Sequence, residues 1–129
     1  MSNDRKKTAS EVYSGQLEVA PDDVPSELRR LFGSRMAEEA LYAMGGTAWD
    51  ETLSRRERSL IVISALIAQG AVVGRLRPHI RWAIKNGVSR EELDALVSML
   101  SIYTGYPRAA EGMTVLIEEL GPMPTTGAG

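Results

Sequence analysis

The 129 residues suffice for one domain with its own core and are too few for two well-buried ones. With 43% apolar and 25% charged residues the composition is globular, and a formal charge of -2 with both signs interleaved offers no basic stripe for a phosphate backbone, so nucleic acid is not an expected partner. There is no cysteine, which excludes a disulfide, a thiolate metal site and dithiol redox chemistry.

The polar start, residues 1–8, reads as a solvated tail without an export signal, and a cytoplasmic location fits it. Residues Ala9 to about Val19 give a weak first helix, closed by Ala20-Pro21. Pro25 suits a first helical turn, with Leu28, Leu31 and Phe32 at helical spacing and Gly33 as terminator. Ser34 can then cap a helix carrying Met36, Ala40, Leu41 and Met44 that stops at Gly45-Gly46, and Thr47 to Leu53 follow as a loop.

The next starts are the clearest. Ser54-Arg-Arg-Glu57 and Ser89-Arg-Glu-Glu92 both have the capping-box form, in which serine and glutamate satisfy each other's orphan amides. They open helices to about Gly70 and about Tyr103. Between them Arg75 to Asn86 forms a helix with Ile80, Ala83 and Ile84 on one face and Gly87 as its left-handed cap. A last helix runs from Pro107 to just before Gly121, and residues 122–129 read as a second tail. No run alternates at strand period, so the expected class is all-α with six or seven helices in one domain over residues 9–121.

The stretch Leu60 to Ala68 is apolar all round. It is too short for a membrane span of ~20 residues, so it reads as a buried helix and no membrane partner is expected. A chain this small has trouble surrounding such a helix, which favours a homo-oligomer that shares its burial. The methionines at 36, 44, 99 and 113 read as core, and Trp49 and Trp82 as core or interface anchors.

His79 is the only histidine and follows Pro78, which places it in the first turn of its helix. There the helix dipole would hold the imidazole neutral near pH 7, able to accept a proton. Arg75, Arg77 and Arg81 bracket it, and guanidinium groups grip carboxylates in a bidentate way, although such a run also suits a solvated face. Arg55, Arg56 and Arg58 stand at a helix start, where cations oppose the dipole by roughly 0.3–1 kcal/mol each. Asp50, Glu51 and Glu57 could offset them as ion pairs, or a bound anion could. Glu57 is already explained as a cap; Tyr103 and Tyr106 flank Gly105 at a helix corner, where phenols fill space or bind a ligand.

Taken in order, Leu53 to Gly70 (Leu-Ser-Arg-Arg-Glu-Arg-Ser-Leu-Ile-Val-Ile-Ser-Ala-Leu-Ile-Ala-Gln-Gly), Arg75-Leu-Arg-Pro-His79, Ala83-Ile-Lys-Asn-Gly-Val-Ser-Arg-Glu-Glu-Leu93 and Tyr103-Thr-Gly-Tyr-Pro-Arg-Ala-Ala110 resemble the carboxymuconolactone decarboxylase family over roughly residues 35–120. The resemblance implies an AhpD-like all-helical subunit in a ring-forming homo-oligomer, a trimer or hexamer. The peroxidase branch of that superfamily has Cys-x-x-Cys-x-x-x-His where this chain has Val72, Arg75 and His79, and its relay glutamate would fall near Ser59 or Leu60, so cysteine peroxidase activity is excluded.

The resemblance also implies a decarboxylase of small carboxylated lactones or keto acids, a carboxy-lyase that uses neither metal nor cofactor. His79 would move the proton, with Glu57 as a further catalytic candidate. Arg58, Arg75 and Arg77 would hold carboxylate and oxyanion, and Tyr103 or Tyr106 would add a hydrogen bond. The segment Gly70-Ala-Val-Val-Gly-Arg75 lacks the acidic residues of the pathway enzymes, which points to a different substrate. Proton-transfer work such as isomerisation or cyclisation, and a non-catalytic oligomeric scaffold or ligand-binding module, stand as alternatives.

Overall fold

Helix is the regular structure of this chain, seen in a computed structural model that describes residues 2–46 and 49–123. Among the described residues there are six α-helices, one 3-10 turn and no strand. They divide between Leu53 and Ser54 into two compact units.

The first unit holds α1 (Ser2–Leu17), the 3-10 turn Pro21–Asp23 and α2 (Val24–Met44). Helix α1 begins inside the segment expected to be a tail. Its polar first turns are held by α2: Arg5 Nε donates to the Tyr42 carbonyl at 2.6 Å, the Arg5 guanidinium lies 3.7 Å from the centroid of the Tyr42 ring, and Lys6 pairs with Glu38 at 3.1 Å. Gly45 is needed there because a Cβ would collide with the Arg5 backbone. The break expected at Gly33 is present within α2, as a residue with φ 80° and ψ 167° that interrupts the helical geometry. Ala9, Val24, Leu28, Ala37 and Leu41 form the unit's core, with Phe32 and Met44 packed against it.

The second unit contains α3 (Arg55–Gln69), α4 (Leu76–Lys85), α5 (Arg90–Tyr103) and α6 (Tyr106–Leu120). Both capping boxes are formed. Ser54 Oγ accepts from the Glu57 amide at 3.0 Å while the Ser54 amide donates to Glu57 at 2.9 Å, and both Ser89–Glu92 bonds are 3.0 Å. Gly70 ends α3 in the left-handed region, and Gly87, at φ 93°, follows the Asn86 cap of α4.

Ile63 and Ile67 of α3, Leu76, Ile80 and Ala83 of α4, Leu93 and Val97 of α5, and Ala109 and Leu116 of α6 close one core. Gly112 lets α6 approach Ile67, whose Cδ1 would lie 2.7 Å from an added Cβ. Fully buried Ser59 on α3 accepts from Asn86 Nδ2 at 3.0 Å and so ties α3 to the end of α4.

One expectation about burial needs correction. Met36 and Met99 are exposed rather than core, because each lies on the helix face turned away from its buried neighbours Ala37 and Val97, whereas Met44 and Met113 are half-buried. Helix α3 is not enclosed on all sides by this chain alone, since Ile61 is 54% exposed. No helix among the described residues is long and apolar enough to cross a membrane. The second tail lies mostly outside the described residues; Pro122 and Met123 carry no regular structure, and the expected loop is described only from Trp49 onward.

Candidate active site

Helix α4 brings His79, Arg75, Arg77 and Arg81 onto one short element, and the structure gives them different partners. Arg77 pairs with Glu118 and, at 3.5 Å, with Glu119, while Arg81 Nη1 donates to Glu119 at 2.7 Å. These bonds fasten α4 to α6. They also hold the Glu119 carboxyl below its usual range, with the Arg81 hydrogen bond as the leading cause. Arg77, a candidate for substrate binding, is thus occupied by acidic side chains some forty residues away in sequence. Arg75 stands at the N-cap of α4, exposed, and contributes no side-chain cap.

His79 is half-buried on α4, the helix whose Leu76, Ile80 and Ala83 belong to the core. Its Nδ1 is buried and has no hydrogen-bond partner. Its ring meets the Trp82 indole edge to face, with centroids 5.8 Å apart and planes at 79°. Burial, with the positive charge of Arg75 second, pushes its pKa from the ordinary 6.5 down to about 4. The ring is therefore neutral near pH 7, as expected, but desolvation and a neighbouring cation replace the helix dipole as the cause.

Neutral imidazole carries one proton. An unsatisfied buried N–H costs more than an unsatisfied lone pair, so the favoured tautomer leaves Nδ1 bare and puts the proton on Nε2.

The cluster at the start of α3 resolves differently. Arg56 pairs with Glu92, a member of the second capping box and not one of the three acids expected to offset it. Asp50 accepts from the Thr52 amide at 2.9 Å. Glu57 is exposed, and hydrogen bonds with Ser54 lead the effects that keep its carboxyl below its ordinary range. A carboxylate so stabilised is a weak proton acceptor, and its cap role accounts for it. Arg58 is buried, 7% exposed.

Between α3 and α5 runs an open groove of about 610 Å³. The Arg56–Glu92 pair lies at its start, Leu60, Leu96, Met99 and Leu100 form its apolar wall, and Tyr103 stands at the far end of α5. Tyr103 and Tyr106 are both about three-quarters exposed. His79 does not line this groove, so the structure does not bring Tyr103 and His79 together there. Trp82 at His79 and the Ser59–Asn86 bond went unnoticed as site features in the sequence; the three-residue spacing of His79 and Trp82 on a helix was the signal for the first.

The sequence profile described as the carboxymuconolactone decarboxylase family matches residues 36–118, from the later part of α2 to the last turn of α6. The chain belongs to this family. Within it, the chain is 38% identical over 69 residues, 53% of its length, to 4-carboxymuconolactone decarboxylase of Acinetobacter baylyi, of which the match covers 51%. It is 35% identical over 83 residues, 64% of its length, to nitrosuccinic acid decarboxylase npaB of Metarhizium robertsii, of which 57% is covered. The chain thus spans little more than half the length of the curated relatives it matches. No solved structure matches it.

Proposed function

We propose that this family member is a decarboxylase that releases carbon dioxide from a small carboxylated lactone, keto acid or comparably activated acid, with His79 as the group that handles the developing charge. The observation that carries the reading is the state of His79: a neutral imidazole with Nδ1 walled in and a guanidinium close enough to depress its pKa. The names of both relatives support the reaction type, one acting on carboxymuconolactone and the other on nitrosuccinic acid. Each acid contains its own electron sink, a lactone conjugated system or a nitro group. A substrate of this kind needs no cofactor to accept the electrons left by carbon dioxide.

In the step we assign, the C–C bond to the carboxylate breaks and its electron pair moves into the substrate's sink, leaving negative charge on an oxygen. The Nε2–H of His79 donates to that oxygen, a hydrogen bond that strengthens as charge develops and so lowers the barrier. A proton then adds at carbon, and solvent restores the balance. Arg75 supplies positive potential for the substrate carboxylate. Arg77 acts instead through Glu118 and Glu119, by holding α4 in place.

The chain works as a homo-oligomer in this reading. Ile61 of α3 and Met99 and Ile102 of α5 are exposed apolar side chains in the second unit, at 54%, 60% and 79%, and a second subunit would share their burial.

The deciding experiment measures carbon dioxide release from a panel of carboxylated lactones, keto acids and nitro acids, with the wild type and His79→Ala side by side. Turnover of at least one substrate should fall by ~100-fold or more in the variant. Equal turnover in a folded variant removes His79 from the chemistry, and isomerised product without gas release would make the chain a proton-transfer enzyme.

A further inference from the structure

A reacting histidine is usually oriented by a carboxylate or carbonyl that accepts from its second nitrogen. His79 lacks this device, because its buried Nδ1 has no hydrogen-bond partner. Its orientation must come from packing. The side chain placed to supply it is Trp82, three residues further along α4 and therefore on the same face. The indole is itself fixed, being 8% exposed between Ile80 at 1% and Ala83 at 0%. The ring separation of 5.8 Å and the near-perpendicular planes fall within the range favoured for aromatic pairs, where the positive edge of one ring meets the negative face of the other.

We propose that Trp82 is the positioning residue for His79: its indole sets the plane of the imidazole by an edge-to-face contact and closes the buried side of the ring to water. The inference rests on the reading of His79 as the reacting group. Rotation of the imidazole about its χ2 would break the ring contact, so a single orientation is favoured and Nε2 is aimed consistently. Exclusion of water disfavours the charged ring, which would otherwise bring a second cation beside Arg75 and lose the bare lone pair. Arg75 is the charged group with an appreciable effect on this ring; Arg77 and Arg81, on the same helix, are neutralised by Glu118 and Glu119 from α6.

Because His79 is the only histidine, its Cε1–H gives one resonance whose titration needs no assignment. The full-length wild type, Trp82→Phe and Trp82→Leu are titrated by NMR. The wild type should titrate near pH 4, and Trp82→Phe, which keeps an aromatic ring, should stay close to it. Trp82→Leu should move up by about one pH unit or more towards 6.5, a tenfold or greater rise in the protonated fraction at pH 6. A folded Trp82→Leu protein that titrates with the wild type overturns the proposal.

Should Trp82→Leu not fold, Trp49→Phe leaves Trp82 as the sole indole, and its fluorescence reports the contact directly, since imidazolium quenches a neighbouring indole. A fluorescence step coincident with the His79 titration, and missing from the additional His79→Ala variant, supports the contact; a flat trace refutes it. Activity separates this inference from the reading beneath it. If Trp82→Leu shifts the titration while His79→Ala turns over normally, the decarboxylase role of His79 fails and the positioning stands. If His79→Ala is inactive while Trp82→Leu titrates as wild type, the positioning fails alone.

Discussion

The depressed pKa of His79 makes stability depend on pH in a window whose upper part, above about pH 5, lies clear of the ordinary carboxylate range. In the unfolded chain the imidazole takes up its proton near 6.5; in the folded chain it does so near 4. Between those values the unfolded state binds more protons, so stability is full above about pH 6.5, falls as pH falls towards 4, and loses nothing more from this group below that. Each pH unit inside the window is worth about 1.4 kcal/mol. By pH 5, about 1.5 units in, the loss is about 2 kcal/mol, a large part of the ~5–15 kcal/mol that holds a typical domain together.

His79→Gln cannot take up the proton. Urea denaturation at intervals from pH 7.5 to 5 should therefore show wild-type stability falling by about 2 kcal/mol relative to this variant. The carboxyls of Glu57 and Glu119, held below their ordinary range, lose their contributions at lower pH and are common to both proteins. Parallel stability curves over this interval would refute the account of a desolvated, neutral ring.

Three further expectations follow from contacts in the second unit. Gly112→Ala should cost about 1 kcal/mol in denaturant unfolding, since crowding of ~1–3 kcal/mol against Ile67 outweighs a helix-propensity gain of up to ~1, and the same change should stabilise an Ile67→Ala background. Ser59→Ala should lower stability by about 1–2 kcal/mol because Asn86 Nδ2 loses its buried acceptor, and Asn86→Ala on top of it should add little. Glu119→Gln should weaken the tie between α4 and α6 by no more than about 1 kcal/mol at low salt, an effect that 1 M sodium chloride should largely erase if the partly exposed pairs with Arg77 and Arg81 are electrostatic.

What could be read from the sequence was what depends on a few adjacent residues. The starts of α3 and α5 follow from serine and glutamate three positions apart, and the end of α3 from a glycine that accepts a left-handed backbone. Helix α1 could not be read in the same way. Its first turns show no apolar period, and what orders them is Tyr42 and Glu38, more than thirty residues away.

The candidate site divides along the same line. A lone histidine beside arginines was visible, and so was its neutrality, but the fate of each arginine depended on α6 and on the second capping box. Glu118 and Glu119 take up Arg77 and Arg81, and Glu92 takes up Arg56, while Arg75 is the cation whose charge His79 feels. Charge pattern along a helix therefore says which groups are near one another, and only the partner helices say which acid each of Arg56, Arg77 and Arg81 meets. In a substrate-binding role Arg75→Ala should raise KM more than it lowers kcat, whereas Arg77→Ala should lower stability first and activity only through it.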